Sequence, residues 1–132
     1  MSSSTLEFQP MILADTSIWI DHLRSRDAEM EARLSRGRIL MHPFIVAEIS
    51  LRSLHHRRKR LEEMEGLLEV RVAQLNEVRH MIEAHTLYSK GIGLTDVHLL
   101  ASCSMTPGTQ LWTRDKALQK VAKALGILID LP

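Results

Sequence analysis

Short apolar runs alternate with stretches of helical periodicity along most of the chain. Met11 to Ala14 is continuously apolar, Asp15-Thr16-Ser17 interrupts it, and Ile18, Trp19, Ile20 and Leu23 then recur at helical spacing. That pattern predicts a strand, a sharp turn and a helix. A second helical pattern from Ala28 to Leu34 stops near Gly37, and Ile39-Leu40-Met41 follows as another candidate buried strand. Pro43 opens a helix carrying Ile45, Glu48, Ile49 and Leu51, a first-turn position that proline tolerates. Leu61, Met64, Leu67 and Leu68 keep helical spacing, Val70-Arg71-Val72 alternates like a short strand, and Asn76 to Tyr88 is expected to be a helix. After Gly91-Ile92-Gly93, Thr95-Asp96 is expected to cap a helix through Cys103 that ends at Thr106-Pro107-Gly108. Gln110 to Trp112 predicts a strand, Lys116 to Leu125 a helix, and Ile127 to Ile129 a final strand. Apolar strands alternating with helices imply a parallel sheet covered on both faces, an α/β fold.

Length and charge narrow the function. At 132 residues the chain fits one domain, with Met1–Pro10 as a Ser-rich flexible leader and the fold proper over 11–132. Lys plus Arg number 17 against 16 for Asp plus Glu, so no global field draws the protein onto a polyanion and any such site must be local. A single cysteine, Cys103, excludes an internal disulfide and suits a reducing compartment. No apolar run approaches the ~20 residues of a membrane span, so the expectation is a cytoplasmic protein with no membrane association.

Ligand sites of parallel sheets lie beyond the carboxyl ends of the strands, and there the residues are acidic. Asp15 follows the first strand, Asp115 follows the Leu111-Trp112 strand, Asp96 stands at a helix start, and Glu48 lies in the second turn after the Ile39 strand. Each aspartate is also a good helix cap, and Glu48 could instead pair with Arg52 one turn later. Against that last reading, Phe44, Ile45, Val46, Ala47 and Ile49 surround Glu48 with apolar side chains, where a lone carboxylate is costly. Four converging carboxylates repel one another, a divalent cation would hold them ionised, and oxygen ligands favour Mg²⁺ or Mn²⁺ over zinc. Such a site suits metal-assisted phosphoester chemistry.

These segments resemble the PIN-domain ribonucleases, and among them the VapC toxins of bacterial toxin–antitoxin pairs. The resemblance runs from Met11 to Ile129 and rests on four motifs in order: Ile12 to Trp19, Ile45 to Ile49, Leu94 to Ala101, and Leu111 to Leu118. It implies a single three-layer α/β/α domain with a central parallel sheet. It also implies an Mg²⁺- or Mn²⁺-dependent endoribonuclease in which metal-activated water hydrolyses RNA, a homodimer, and inhibition by a small VapB-like antitoxin. By the same resemblance Asp15, Glu48, Asp96 and Asp115 form the acidic metal site, with Ser17 and Thr113 as supporting hydroxyls. Thr95 departs from the pattern, since many relatives carry Asn there, and the leader is longer than expected.

Other features have competing readings. The basic run His55 to Arg60 either grips phosphates or is a solvated helix start. His80 and His85 are five apart and off one helical face, so zinc is not expected, and Cys103 among Leu99, Leu100 and Ala101 reads as a small buried hydrophobe. Trp19 packs inside or, with Leu23, borders a groove for a partner helix. A haloacid-dehalogenase-like phosphatase would need an Asp two residues after Asp15, where Ser17 stands. A housekeeping RNA-processing PIN nuclease and a non-catalytic binding module are the remaining alternatives.

Overall fold

The computed structural model describes residues 9–132, and most of the predicted leader lies outside the described residues. Three parallel strands form the sheet: β1 (Met11–Ala14), β2 (Ile39–Leu40) and β3 (Thr109–Trp112), in the order β2-β1-β3. Leu13 pairs with Leu40 on one side and Leu111 on the other, so β1 is central and reads as an apolar run because both its faces are covered. Single bridges extend the sheet at each edge, Met41 to Glu69 and Leu111 to Leu128.

The helices are α1 (Thr16–Arg24), α2 (Ala28–Ser35), α3 (Pro43–Ser50), α4 (Arg57–Glu65), α5 (Leu75–Ala84), α6 (Leu94–Met105) and α7 (Lys116–Ala124). The chain leaves β1 toward β2 on one side and later reaches β3 on the other. Right-handed crossovers in opposite directions place helices on both faces, giving the α/β/α layering and opening a crevice at the carboxyl ends of the strands. Ile12, Leu13, Ile18, Ile45, Ile49, Leu100, Leu111, Trp112 and Leu118 are buried in one core beneath it. Trp19 belongs to that core, whereas Leu23 is only half-buried. Cys103 is buried as expected, and its surroundings push the thiol up to about 12, which rules it out as a nucleophile at neutral pH.

Several sequence expectations require correction. Residues 70–72 form no strand: the Val70 N–H still donates to the Met41 carbonyl at 2.9 Å, but the Arg71 N–H turns to Thr106 Oγ1 and the following Ala73 N–H to Ser102 Oγ, both hydroxyls of the α6 region. Ile127–Ile129 contributes one bridge, held by hydrogen bonds between Leu111 and the backbone of Ile127 and Ile129. The helix containing Leu61 and Met64 ends at Glu65, so Leu67 and Leu68 lie beyond it, and the helix expected over 76–88 is α5, which stops at Ala84. Thr95 does not begin α6: Gly93 is its N-cap and Asp96 its third residue, reaching back to accept the Gly93 N–H.

His42, the N-cap of α3, is fully buried and accepts the Phe44 N–H at Nδ1, while its Nε2 finds no partner among the described residues. Burial, with a lesser contribution from His98, lowers its pKa to about 4 from an ordinary 6.5. A folded pKa below the unfolded one means that the unfolded chain takes up the proton first, so stability present above pH 6.5 is lost as the pH falls toward 4. Melts across this window should show that loss, with a shallower slope in His42→Asn, which keeps a capping side chain. Equal slopes would remove His42 as a cause.

Candidate active site

Local sequence places each acid through a helix start. Asp15 ends β1 and caps α1, its Oδ1 accepting the Ile18 N–H at 3.2 Å. Asp115 lies three residues past Trp112 and caps α7 by accepting the Leu118 N–H at 2.9 Å. Asp96 accepts the Gly93 N–H at 3.1 Å. Asp15 and Asp115 are therefore helix caps as expected, whereas Asp96 is the third residue of α6, and capping does not compete with a site: the parallel strands β1 and β3 end on one side and bring the starts of α1 and α7 there.

Hydroxyl groups tie the rim together. Ser17 Oγ donates to Asp15 Oδ1 at 2.5 Å, and Thr113 Oγ1 donates to Asp15 Oδ2, joining the ends of β1 and β3. The same Thr113 oxygen accepts the Asp115 N–H at 3.0 Å, and Ser17 Oγ accepts the Arg114 N–H at 3.2 Å. Ser17 and Thr113 thus orient Asp15 in this structure. Glu48 is half-buried and makes no ion pair with Arg52; its Oε1 accepts a hydrogen bond from Thr16 Oγ1 at 2.8 Å, linking α3 to α1.

The electrostatics show that the acids share one region. Burial raises the Asp15 pKa above 3.8 against the hydrogen bonds from Ser17, Thr113 and Ile18, and the charge of Asp96 pushes the same way. Burial also raises Asp96, opposed by the Gly93 N–H and reinforced by Asp115 and Glu48. Asp15 is 5 % exposed, Glu48 and Asp96 are half-buried, and Asp115 is exposed, so the cluster grades from the floor of the crevice to solvent. Among the described residues no three acidic, histidine or cysteine side chains close into a ready-made cation cage. The charge of Asp96 thus acts with those of Asp15, Glu48 and Asp115, and the four acids do not converge on one point.

Two participants were missed by sequence reasoning. Thr16, inside the quoted first motif, orients Glu48; its position next to Asp15 at the first turn of α1 was the available signal. Arg114 binds Asp21 at 2.7 Å and Asp27 at 2.6 Å, donates from Nε to the Pro132 carbonyl, and lies over the Trp112 ring. It clamps α1 and the start of α2 to the end of β3, and nothing local to the sequence marks those distant partners.

The PIN domain family model matches residues 12–124, from the middle of β1 to the last residue of α7. The chain belongs to the PIN-domain family. Ribonuclease VapC32 of Mycobacterium tuberculosis, in strains CDC 1551 / Oshkosh and ATCC 25618 / H37Rv, is 34% identical over 119 residues, covering 90% of this chain and 96% of that protein. The alignment thus extends over the domain that carries all four acids.

Proposed function

We propose that this PIN domain is a divalent-metal-dependent endoribonuclease, the toxin of a toxin–antitoxin pair, and that Asp15, Glu48, Asp96 and Asp115 are its catalytic and metal-binding residues. One observation carries the reading: Asp15, Glu48, Asp96 and Asp115, from distant segments, are held by hydroxyls and amides rather than by cations, and the charge of Asp96 acts with those of the other three. Among the described residues the ion pairs of Arg26, Arg33 and Arg114 engage Glu31, Glu29, Asp21 and Asp27, none of them a site acid. Burial raises Asp15 and Asp96 above the ordinary carboxylate value, and the neighbouring acids push the same way with no cation to offset them.

That donor set, all hard oxygens, fits Mg²⁺ or Mn²⁺. Bound among Asp15, Glu48, Asp96 and Asp115, a cation supplies Lewis-acid stabilisation of phosphate charge and eases deprotonation of the attacking water. Ser17 and Thr113 fix the Asp15 carboxylate, Thr16 aims Glu48, and the Gly93 amide anchors Asp96, so the acids are oriented before any ligand arrives. The similarity to a named ribonuclease over nearly its whole length supports RNA as substrate.

The partner reading belongs to the same proposal. An arginine supplied in trans by a small VapB-like antitoxin would pair with Asp15, Glu48 or Asp96, held by an amphipathic segment along α1. Trp19 is buried, so the accessible part of that face is a pocket of about 190 Å³ to which Leu23, His22 and Leu34 contribute. Residues 11–132 constitute the domain and 1–10 the leader, the protein acts in the cytoplasm, and two copies associate. No helix among the described residues is long and apolar enough to cross a membrane.

Purified protein should cleave RNA with Mg²⁺ or Mn²⁺, stop with EDTA, and leave 5′-phosphate and 3′-hydroxyl ends, the products of attack by water. Saturating metal at ~100 times its Kd should stabilise the fold by about 2.7 kcal/mol. Cyclic phosphate ends that persist in EDTA, or a melt insensitive to both metals, would refute the shared-metal site. A chain that is harmless when expressed alone and retains no product of the adjacent reading frame is a housekeeping nuclease instead.

A further inference from the structure

An acidic centre repels the polyanion it acts on, and a chain of net charge +1 has no overall field to compensate. Cations close to the acids must therefore hold the substrate. A pocket of about 400 Å³, within the ~300–1,000 Å³ usual for small-ligand clefts, supplies them. Arg24, Arg52, Arg60 and His55 line it. Among the described residues none of these arginines is in an ion pair. Arg57, from the same basic run, differs: it donates to the carbonyls of Ser50 and Arg52 and so closes the end of α3. Arg60 donates through Nε to the His55 carbonyl, which fixes the loop ahead of α4.

The apolar part of the pocket comes from Ile20, Leu23 and Ile49. Its position follows from the hydrogen bond between Thr16 and Glu48 that joins α1 to α3. Ile20 lies one turn beyond Thr16, Arg24 two turns beyond it, Ile49 directly follows Glu48, and Arg52 is four residues past Glu48. The pocket therefore continues the α1–α3 junction away from the acids, over about 5–11 Å at 5.4 Å per turn. Guanidinium forks match phosphate oxygens, and an aliphatic wall beside them suits the face of a base.

We propose that this pocket seats a nucleotide flanking the scissile phosphodiester, with its phosphate on Arg24, Arg52 and Arg60 and its base against Ile20, Leu23 and Ile49. The assignment rests on reading the acids as a ribonuclease site and adds to it the residues that grip RNA. They are positioning residues, remote from the reacting atoms.

Binding can be separated from cleavage by measuring the anisotropy of a fluorescein-labelled oligouridylate of about 12 nucleotides in EDTA. Arg24→Gln/Arg52→Gln should weaken binding at least about tenfold and flatten the slope of log K against log salt by about 1.4, the release expected for two lost phosphate contacts on a single strand. With metal present, KM for a longer RNA should rise by a similar factor while kcat stays within about twofold, since uniform binding is what is lost. Lys120→Gln/Lys123→Gln on α7 removes the same charge elsewhere and should change binding far less. Arg52→Gln alone, at an exposed position, repeats the test should the double variant melt early. RNA binding equal to wild type, or a loss no larger than in the α7 control, overturns the proposal. Unchanged RNA binding with lost retention of the adjacent frame's product overturns it in favour of a protein-docking pocket. A wild-type protein that binds RNA through these arginines yet never cleaves it refutes the nuclease reading and leaves the pocket standing.

Discussion

Asp96→Asn should lower cleavage on the order of 10²-fold or more, the scale at which loss of one preorganised electrostatic group is felt, while the metal-free protein melts no earlier than wild type. Two effects act in opposite directions on ligand binding and on the fold. The neutral amide weakens the hold on a cation, but it removes a charge that Asp115, Glu48 and Asp15 all oppose. Its oxygen can still accept the Gly93 N–H at the start of α6. Asp15→Asn should abolish cleavage similarly, with less relief, because Ser17 and Thr113 both donate to that carboxylate and an amide nitrogen cannot accept. Single-turnover cleavage and paired melts with and without Mg²⁺ decide the matter. A variant Asp96→Asn that cleaves like wild type, or one markedly less stable without metal, contradicts this account.

Arg114→Ala should destabilise the domain by about 1–2 kcal/mol, since its two partly exposed pairs lie between the screened surface case and the buried one, and lower Tm by roughly 5 °C at this chain length. The side chain is 28% exposed and serves two carboxylates at once, with Asp27 at 17% and Asp21 at 48%. Burial works against the Asp27 carboxylate, yet hydrogen bonds from the Met30 N–H and Arg114 hold it below the usual range. Removing the guanidinium leaves that charge without its partner and uncovers the Trp112 ring. Arg114→Lys should recover only part of the loss, because one ammonium cannot reproduce a fork directed at two acids and a carbonyl. Activity below the new Tm should fall only modestly, since the contact from residue 114 to Ser17 is made by its backbone N–H. Full rescue by lysine, or an unaltered melt in Arg114→Ala, would show that the clamp carries no such weight.

Much of the fold was legible because its signals are local. β1 is central, so burial on both faces writes it as an uninterrupted apolar run. The starts of α1 and α7 follow from Asp15 and Asp115, whose carboxylates meet amides three residues away. Edge segments were less legible for a matching reason. The 70–72 alternation looks like a strand, but whether its amides meet a strand or the hydroxyls of Ser102 and Thr106 depends on where α6 packs. Thr95 and Asp96 both resemble caps, and only the backbone path through Gly93 settles which residue starts the helix.

The candidate site divides along the same line. The sequence by itself determined which acids stand at strand ends and helix starts, because sheet and helix periodicity and capping are set within a few residues. The tertiary structure alone decided that Asp15 is bonded to Thr113 across 98 residues, that Glu48 is oriented by Thr16 rather than Arg52, and that Arg114 reaches Asp21 and Asp27 across 93 and 87. Those choices turn on the crossing of α1, α3 and β3, which no local pattern encodes. The same packing made Asp15 and Asp115 helix caps at one rim, since parallel strands deliver the helix starts that follow them to one side, and brought Asp96 toward them on α6, which follows α5 rather than a strand.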